Sequence, residues 1–227
     1  LTQILVESEM DPTAVIGGKL PLIHGSGIAG ASDIMVCESC EFVDTFLKLS
    51  PNIAVILNID EDHLDYFKNL DNIIRSFNAF AKMADKCIIA NGDDENTMRA
   101  VADIKSVPII TFGYGKHNDY YVENIEQHKG IGTSFDVIFQ GKKLCRLRMN
   151  VPGEHNILNT LAACVAALQV KTPVDRIEKS VPNFKGAGRR FEVLGKVNGF
   201  TVVDDYAHHP KELEVTLKTA KKLDFNR

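Results

Sequence analysis

The chain has 227 residues, with 26 Lys and Arg against 30 Asp and Glu, and its formal net charge is −4. This length is sufficient for one large domain, or for one domain and part of another, with a core that needs no disulfide or metal support. The slightly acidic balance excludes nucleic-acid binding through a broadly basic surface, and 44% hydrophobic residues exclude a largely disordered chain. No apolar run approaches the roughly 18 residues of a membrane-spanning helix, so we expect no membrane partner.

Short apolar runs alternate with helical patterns in the first half of the chain, which opens at Leu1 inside a helical pattern. Helical periodicity predicts helices over 70–84 and 95–104. Four runs are typical of strands that are buried on both faces of a parallel sheet, namely 33–37, 53–57, 86–90 and 107–111. This alternation predicts an α/β fold with a mostly parallel sheet flanked by helices.

The second half begins with a different pattern. Apolar and polar residues alternate around a turn at Gln140 and Gly141, so 120–149 is expected to form a small antiparallel side sheet. A helix is predicted over 154–170, short strands over 191–194 and 201–203, and a further helix from Pro210. The glycine-rich basic connector 182–190 places a domain boundary near Arg190.

The five cysteines are an odd number and lack the spacing of a disulfide framework. Cys37 and Cys40 form a CxxC pair, but a structural zinc ion needs a second pair of ligands, which the sequence does not offer. We therefore expect reduced thiols and a cytoplasmic protein. Because the chain does not start with Met, we interpret it as a fragment.

Gly25, Gly27 and Gly30 match the GxGxxG pattern of dinucleotide-binding proteins. That pattern functions between a strand and the helix that the strand leads into, where the backbone approaches a pyrophosphate. Here a predicted strand follows the glycines instead. We interpret the segment as a loop that glycine permits.

Acidic motifs follow two of the predicted strands. Glu38 and Glu41 come after 33–37, and the run NIDEDHLD, which contains His63, comes after 53–57. Ligands bind at the carboxyl ends of the strands in open α/β sheets, and Mg²⁺ takes carboxylate oxygens together with substrate phosphates. Each motif alone is equally well explained as a solvated loop. Taken together, they favour a metal site shared by Glu41 and His63.

Three more polar motifs occur later in the chain. In GEHNILN, the side chains of His155, Asn156 and Asn159 share one side of a helix start, where they suit an adenine edge or a phosphate; the alternative is helix capping by Asn156. The arginines of GAGRR either bind phosphate oxygens or are solvated linker charges. DDYAHHP, at 204–210, places two acids and two imidazoles after a strand, which is difficult to explain by structure alone.

The motifs NIDEDHLDYF, GEHNILNTLAA, GAGRRFE and DDYAHHP, in this order, resemble those of the Mur ligases, the ATP-dependent amide ligases of peptidoglycan precursor synthesis. The resemblance implies that 1–190 is most of the central ATP-binding domain. It also implies that 191–227 is the beginning of a Rossmann-like C-terminal domain. The family's phosphate loop, GxxGK[ST], would be expected directly before Leu1, and no such segment occurs in the chain.

The resemblance also implies roles for individual residues. Glu41 and His63 would bind Mg²⁺, and Arg190 would approach the γ-phosphate of ATP. The nucleotide would further contact His155, Asn156, Asn159 and Asp205, and the implied catalytic residues are His63, Arg190 and Asp205. Tyr206 and His208 are weaker candidates for contact with the incoming amino acid.

Within the family, ESCEF followed by DDYAHHP favours members that join L-alanine to the lactyl carboxylate of UDP-N-acetylmuramate through an acyl phosphate. The small-molecule substrates would be these two compounds and ATP, and the chain alone is expected to be inactive. The nearest alternative is another ligase of the family, such as one that adds a recycled murein peptide. A more distant alternative is a metal-dependent hydrolase built on His63, the aspartates near it, His208 and His209.

Overall fold

The computed structural model describes residues 1–128 and 131–223. In these ranges the helices are α1 Thr2–Glu7, α2 Leu64–Phe67, α3 Leu70–Lys82, α4 Glu95–Val101, α5 His155–Gln169, α6 Val174–Ser180 and α7 Pro210–Lys222. The strands are β1 Thr13–Leu20, β2 Gly25–Ile28, β3 Met35–Cys37, β4 Ile53–Ile56, β5 Cys87–Asn91, β6 Ile109–Gly113, β7 Tyr120–Gln127, β8 Thr133–Phe139, β9 Lys142–Met149, β10 Glu192–Val197 and β11 Phe200–Asp204.

The main sheet has six strands in the order β4-β5-β6-β7-β8-β9. The strands from β4 to β7 pair in parallel, and β7, β8 and β9 pair antiparallel. The predicted hairpin is therefore present, but it continues the main sheet. It does so because Tyr120 and Tyr121 of β7 pair with Phe112 and Gly113 of β6.

Helices cover both faces of this sheet, as the sequence predicts for an α/β fold. On one face, α5 packs Ile157, Leu161 and Val165 into a core that also contains residues of β5, β8 and β9. On the other face, α3 and α4 pack against β4 and β5 through a second core that includes Ile73, Phe80 and Val101. The central strand β5 is buried along its whole length, which explains its continuously apolar sequence.

The prediction that 33–37 belongs to the main parallel sheet is wrong. Met35–Cys37 pairs in parallel with β1 in a separate three-stranded sheet of order β2-β1-β3. Met35 is 61% exposed, so this strand is not covered on both faces. Its apolar run is too short to distinguish a central strand from an edge strand.

The interpretation of 25–30 as a loop is also wrong, because Gly25–Ile28 forms β2, antiparallel to β1. The glycines permit close backbone approach. A Cβ at Gly27 would lie 3.1 Å from the Ala14 carbonyl oxygen, and one at Gly30 would lie 2.1 Å from that of Asp11. The pattern thus reflects backbone packing between strands.

The last described segment consists of the β10–β11 hairpin and α7. The hairpin turns at Asn198 and Gly199, which both have positive φ angles, and α7 starts at Pro210 as predicted. The capping box of α7 joins His209 and Glu212. Residues 224–227 of the predicted second domain lie outside the described residues.

All five cysteines are free thiols; Cys37 is half-buried and Cys40 is exposed. Within 1–128 and 131–223, no helix combines the length and the apolar character that crossing a membrane requires.

Candidate functional site

Glu41, Asp62 and His63 form a cluster in which one ligand atom from each residue lies within 4.8 Å of the others. His63 Nε2 is 3.7 Å from Glu41 Oε1, and His63 Nδ1 is 3.6 Å from Asp62 Oδ1. The structure therefore brings together the two predicted metal ligands and adds Asp62. They meet even though β3 and β4, the strands that precede them, belong to different sheets.

Local backbone geometry sets up this cluster. His63 has a left-handed backbone (φ 50°) directly before α2, and Val43 and Asp44 have the same conformation directly after Glu41 and Phe42. The hydroxyl of Tyr66 in α2 donates to Asp44 Oδ2 at 2.6 Å, which connects the two loops. Non-glycine residues in this conformation persist only where their surroundings enforce it, and they concentrate at functional sites.

The sequence analysis missed the loop that follows β5. Asn91 Nδ2 donates to the Leu57 carbonyl at 2.9 Å, the Ile59 amide donates to Asp94 Oδ1 at 3.2 Å, and Asn96 Nδ2 donates to the Ile59 carbonyl at 2.9 Å. These bonds hold the start of the acidic loop, which is the segment 58–65 with the sequence NIDEDHLD. The signal was available, because NGDDEN is a polar run at the carboxyl end of a buried strand, like the two acidic motifs.

His155, Asn156 and Asn159 lie in the first turns of α5, as predicted. Asn156 Nδ2 donates to the Pro152 carbonyl at 2.6 Å, and Asn159 Nδ2 donates to Asn156 Oδ1 at 3.2 Å. The two amides are thus oriented as one unit. The alternative that Asn156 caps the helix is wrong, because the N-cap position is Glu154 and Asn156 lies inside the helix.

The surroundings of His155 keep its imidazole neutral. Desolvation lowers its pKa and the Arg190 cation acts in the same direction, whereas the Asp205 carboxylate opposes them. Gly153 is required beside this ring. Its φ angle is +98°, and a Cβ there would lie 2.4 Å from His155 Cε1.

The predicted residues of the C-terminal motifs have defined partners. Arg190 Nη1 lies 3.2 Å from Glu212 Oε1. The carboxylate of Asp205 accepts from the Phe191 amide at 2.9 Å and from the Ala207 amide at 2.7 Å. Asp205 therefore ties the backbone at Phe191, directly after the connector, to its own motif DDYAHHP.

Tyr206 and His208 lie together near the surface, with ring centroids 5.1 Å apart. The guanidinium of Arg189 lies 4.7 Å from the centroid of the Tyr206 ring, within cation–π distance. His208 Nδ1 is 3.0 Å from the Tyr206 carbonyl oxygen. Tyr206 is 52% exposed in this arrangement.

Contacts between motifs bring the two ends of the site together. His209 Nε2 lies 3.0 Å from the Glu61 carbonyl oxygen, 148 residues away in the chain, so the C-terminal motif touches the acidic loop. At the start of α5, Arg190 lowers the pKa of His155 and Asp205 raises it, so both charged groups lie near this imidazole. The site is therefore continuous from the acidic cluster through DDYAHHP to the start of α5.

Two adjoining cavities of about 390 and 350 Å³ open beside the start of α5. Both are lined by Gln127, Glu154, His155 and Ile157. The larger extends to α7, where Lys222 pairs with Glu154. The Gln127 amide, the His155 imidazole and the apolar Ile157 around this recess suit a planar heterocycle, whereas the carboxylates and imidazole of the acidic cluster suit a divalent cation.

Comparison with known families and proteins places the chain among the Mur ligases. The family model described as the Mur ligase middle domain matches residues 27–167, and the model described as the Mur ligase glutamate ligase domain matches 189–227. The chain is 41% identical to the UDP-N-acetylmuramate–L-alanine ligase of Caldanaerobacter subterraneus subsp. tengcongensis and 42% identical to that of Clostridium acetobutylicum. All of the chain is covered in both cases, and it spans about half the length (50%) of these curated relatives.

Solved structures of ligases also match the fold of this chain. The crystal structure of UDP-N-acetylmuramate–alanine ligase from Thermotoga maritima matches with a TM-score of 0.83 and 28% identity, over 98% of this chain and 50% of that one. A murein peptide ligase from Psychrobacter arcticus matches with a TM-score of 0.73 and 26% identity, over 97% of this chain and 51% of that one.

Proposed function

The chain belongs to the Mur ligase family, and on this premise we propose that it provides the ATP- and Mg²⁺-binding centre of a cytoplasmic ligase that joins L-alanine to UDP-N-acetylmuramate. The observation that carries the proposal is the contact between distant motifs: His209 of DDYAHHP touches the Glu61 carbonyl beside the Glu41, Asp62 and His63 cluster, and Arg190 and Asp205 lie close enough to His155 to affect its pKa. The curated relatives that cover the whole chain are named as ligases with these substrates.

The proposed domain division follows the resemblance. Residues 1–190 form the central ATP-binding domain, and 191–227 begin the C-terminal domain. The connector that contains Arg190 lies between them, and its contact with Glu212 of α7 crosses the division. A ligand bound at the start of α5 therefore lies beside both domains.

The cluster of Glu41, Asp62 and His63 fits a divalent cation. Two carboxylates supply the oxygen ligands that Mg²⁺ prefers, and substrate phosphates would complete its coordination. When bound, Mg²⁺ would neutralise negative charge on the phosphate oxygens. The remaining tasks belong to the protein: Asn156 and Asn159 orient the nucleotide, and Asp205 orients the connector.

The residue types suit a two-step ligation. The lactyl carboxylate attacks the γ-phosphorus of ATP, and ADP leaves. The amine of L-alanine then attacks the acyl phosphate; the C–N bond forms, inorganic phosphate leaves and the amine loses a proton. Arg190 supplies positive charge to the transferring phosphoryl group. Tyr206 and His208, whose rings lie side by side near the surface, contact the incoming alanine.

The alternative of a metal-dependent hydrolase has less support from the geometry. It requires His208 and His209 to join His63 at the metal. In the described part of the chain, the cluster consists of Glu41, Asp62 and His63, while the ring nitrogens of His208 and His209 lie against the carbonyls of Tyr206 and Glu61.

A chimera tests the proposal directly. In the chimera, this chain replaces the matching half of the Caldanaerobacter ligase. A cooperative melting transition first shows that the chimera folds. Phosphate release from ATP is then measured with Mg²⁺, UDP-N-acetylmuramate and L-alanine. We expect release that requires both acceptor and alanine. Release by a folded chimera that does not depend on alanine would contradict the proposal.

A further inference from the structure

Tyr114 lies on none of the motifs that the family comparison explains, yet it reaches the start of α5. Its hydroxyl donates to the Glu154 carbonyl at 3.0 Å, 40 residues away in the chain. The same carbonyl accepts from the Ile157 amide at 3.0 Å, so the phenol shares an acceptor with the turn that carries His155 and Asn156. The ring of Tyr114 also lines the smaller cavity.

Tyr114 is itself held rigidly. Asp93, after β5, accepts from the backbone amides of Tyr114 and Gly115, and it accepts from Asn118 Nδ2 at 2.8 Å. The backbone is packed closely here: a Cβ at Gly113 would lie 2.5 Å from both Asn118 Nδ2 and Asp93 Oδ2. The backbone of the turn after β6 is therefore held in place, and the Tyr114 side chain extends from it.

The loop that follows β5 holds this turn and also the start of the acidic loop. Asn91, Asp94 and Asn96 bind the backbone at Leu57 and Ile59, and Asp93 between them binds the turn that carries Tyr114. One loop thus braces both the acidic loop and, through Tyr114, the start of α5. Burial and the neighbouring carboxylates of Glu154 and Asp93 raise the pKa of Tyr114 to about 12, so the hydroxyl keeps its proton at neutral pH.

We propose that Tyr114 is a positioning residue for the nucleotide: its hydroxyl holds the first turn of α5 in the orientation that presents Asn156 and Asn159 to ATP. The inference rests on the proposed function, since it assumes that these amides bind the nucleotide. Tyr114 acts through Glu154 and takes no part in the phosphoryl transfer.

The test uses the 227-residue chain and Tyr114→Phe, which removes only the hydroxyl. Hydrogen exchange of the amides in 155–159 is measured without ligand, and the Kd of ATP is measured with Mg²⁺. We expect exchange about fivefold faster in this turn and ATP binding about fivefold weaker, the effect of one neutral hydrogen bond, together with a melting temperature lowered by only about 2–4 °C. Tyr120→Phe is the matched control, because Tyr120 stacks on Phe139 in the same sheet, and it should leave both readouts unchanged.

Each other outcome overturns a specific claim. Unchanged exchange in Tyr114→Phe would show that the hydroxyl does not hold the turn. Faster exchange with unchanged ATP affinity would show that the turn does not position the nucleotide. Failure of the unsubstituted chain to bind ATP would instead overturn the nucleotide site of the proposed function.

Discussion

His63 combines a left-handed backbone with a ring nitrogen 3.7 Å from Glu41 Oε1, so its side chain lies within the acidic cluster. In the active chimera, His63→Ala should lower kcat by roughly tenfold to a hundredfold and leave the KM for UDP-N-acetylmuramate nearly unchanged, because a metal ligand acts on the developing charge. Steady-state kinetics measure both constants. An unchanged kcat would remove His63 from the mechanism.

Gly153 is the second residue whose identity the site requires. Gly153→Ala should destabilise the chain by about 1–3 kcal/mol and weaken ATP binding, since the methyl group would meet both a forbidden φ angle and the His155 ring. Gly141→Ala is the control: φ is +77° there, but a Cβ would have no neighbour within 4 Å. Thermal melting and ATP titration of both variants separate backbone strain from displacement of His155. Equal ATP affinities for both variants would contradict this role of Gly153.

At the scale of elements, the antiparallel part of the main sheet depends on Asp136 of β8, which is 4% exposed. Burial alone would raise the pKa of Asp136, but hydrogen bonds from Asn124, Lys143 and Arg146 outweigh it and lower this pKa to about 2. The ionised carboxylate therefore stabilises the fold above the unfolded value of 3.8, and this contribution is lost as the pH falls from 3.8 towards 2.

Asp136→Asn should accordingly lower the free energy of unfolding at neutral pH by about 2 kcal/mol. It should also flatten the loss of stability between pH 3.8 and about 2. Urea unfolding across this range measures both effects. Asp175→Asn, which breaks the exposed pair of Asp175 with Lys179, should change little. Equal acid sensitivity of Asp136→Asn and the unsubstituted chain would contradict the account.

The elements that the sequence predicts well are those with a strong local pattern. The run at 86–90 is apolar and rich in β-branched residues, and α5 has an apolar stripe at helical spacing; both elements occur as predicted. The sheet that contains β3 could not be predicted, because its partner β1 lies about 20 residues earlier and its own run is three residues long. Pairing between distant segments is not encoded in the pattern of either one.

The same limit applies to the site. Its polar residues follow buried strands and helix starts, which is why Glu41, His63 and Asn156 were found. The contact of His209 with Glu61 and that of Tyr114 with Glu154 join segments with no local relation. Asp62 was part of a recognised motif, but only the left-handed turn at His63 shows that its carboxylate faces the imidazole.

At the scale of the whole molecule, the chain should fold in its central part and yet fail as a ligase. Its two cores bury residues from strands and helices throughout 1–184, whereas the sequence contains no GxxGK[ST] phosphate loop. Loss of one group that stabilises a transferring phosphoryl group commonly costs on the order of 10²–10³ in rate. Phosphate release by the isolated chain with all three substrates should therefore equal background, and alanine-dependent release would contradict this prediction.

The central claim is that separate motifs form one Mg²⁺-dependent nucleotide site. Calorimetric titration of ATP into the 227-residue chain, with and without Mg²⁺, tests it most directly when repeated for Glu41→Gln and Asn159→Ala. We predict weak binding that Mg²⁺ strengthens, a loss of the Mg²⁺ effect in Glu41→Gln, and about fivefold weaker binding in Asn159→Ala. ATP binding that responds to neither Mg²⁺ nor these substitutions would contradict the account.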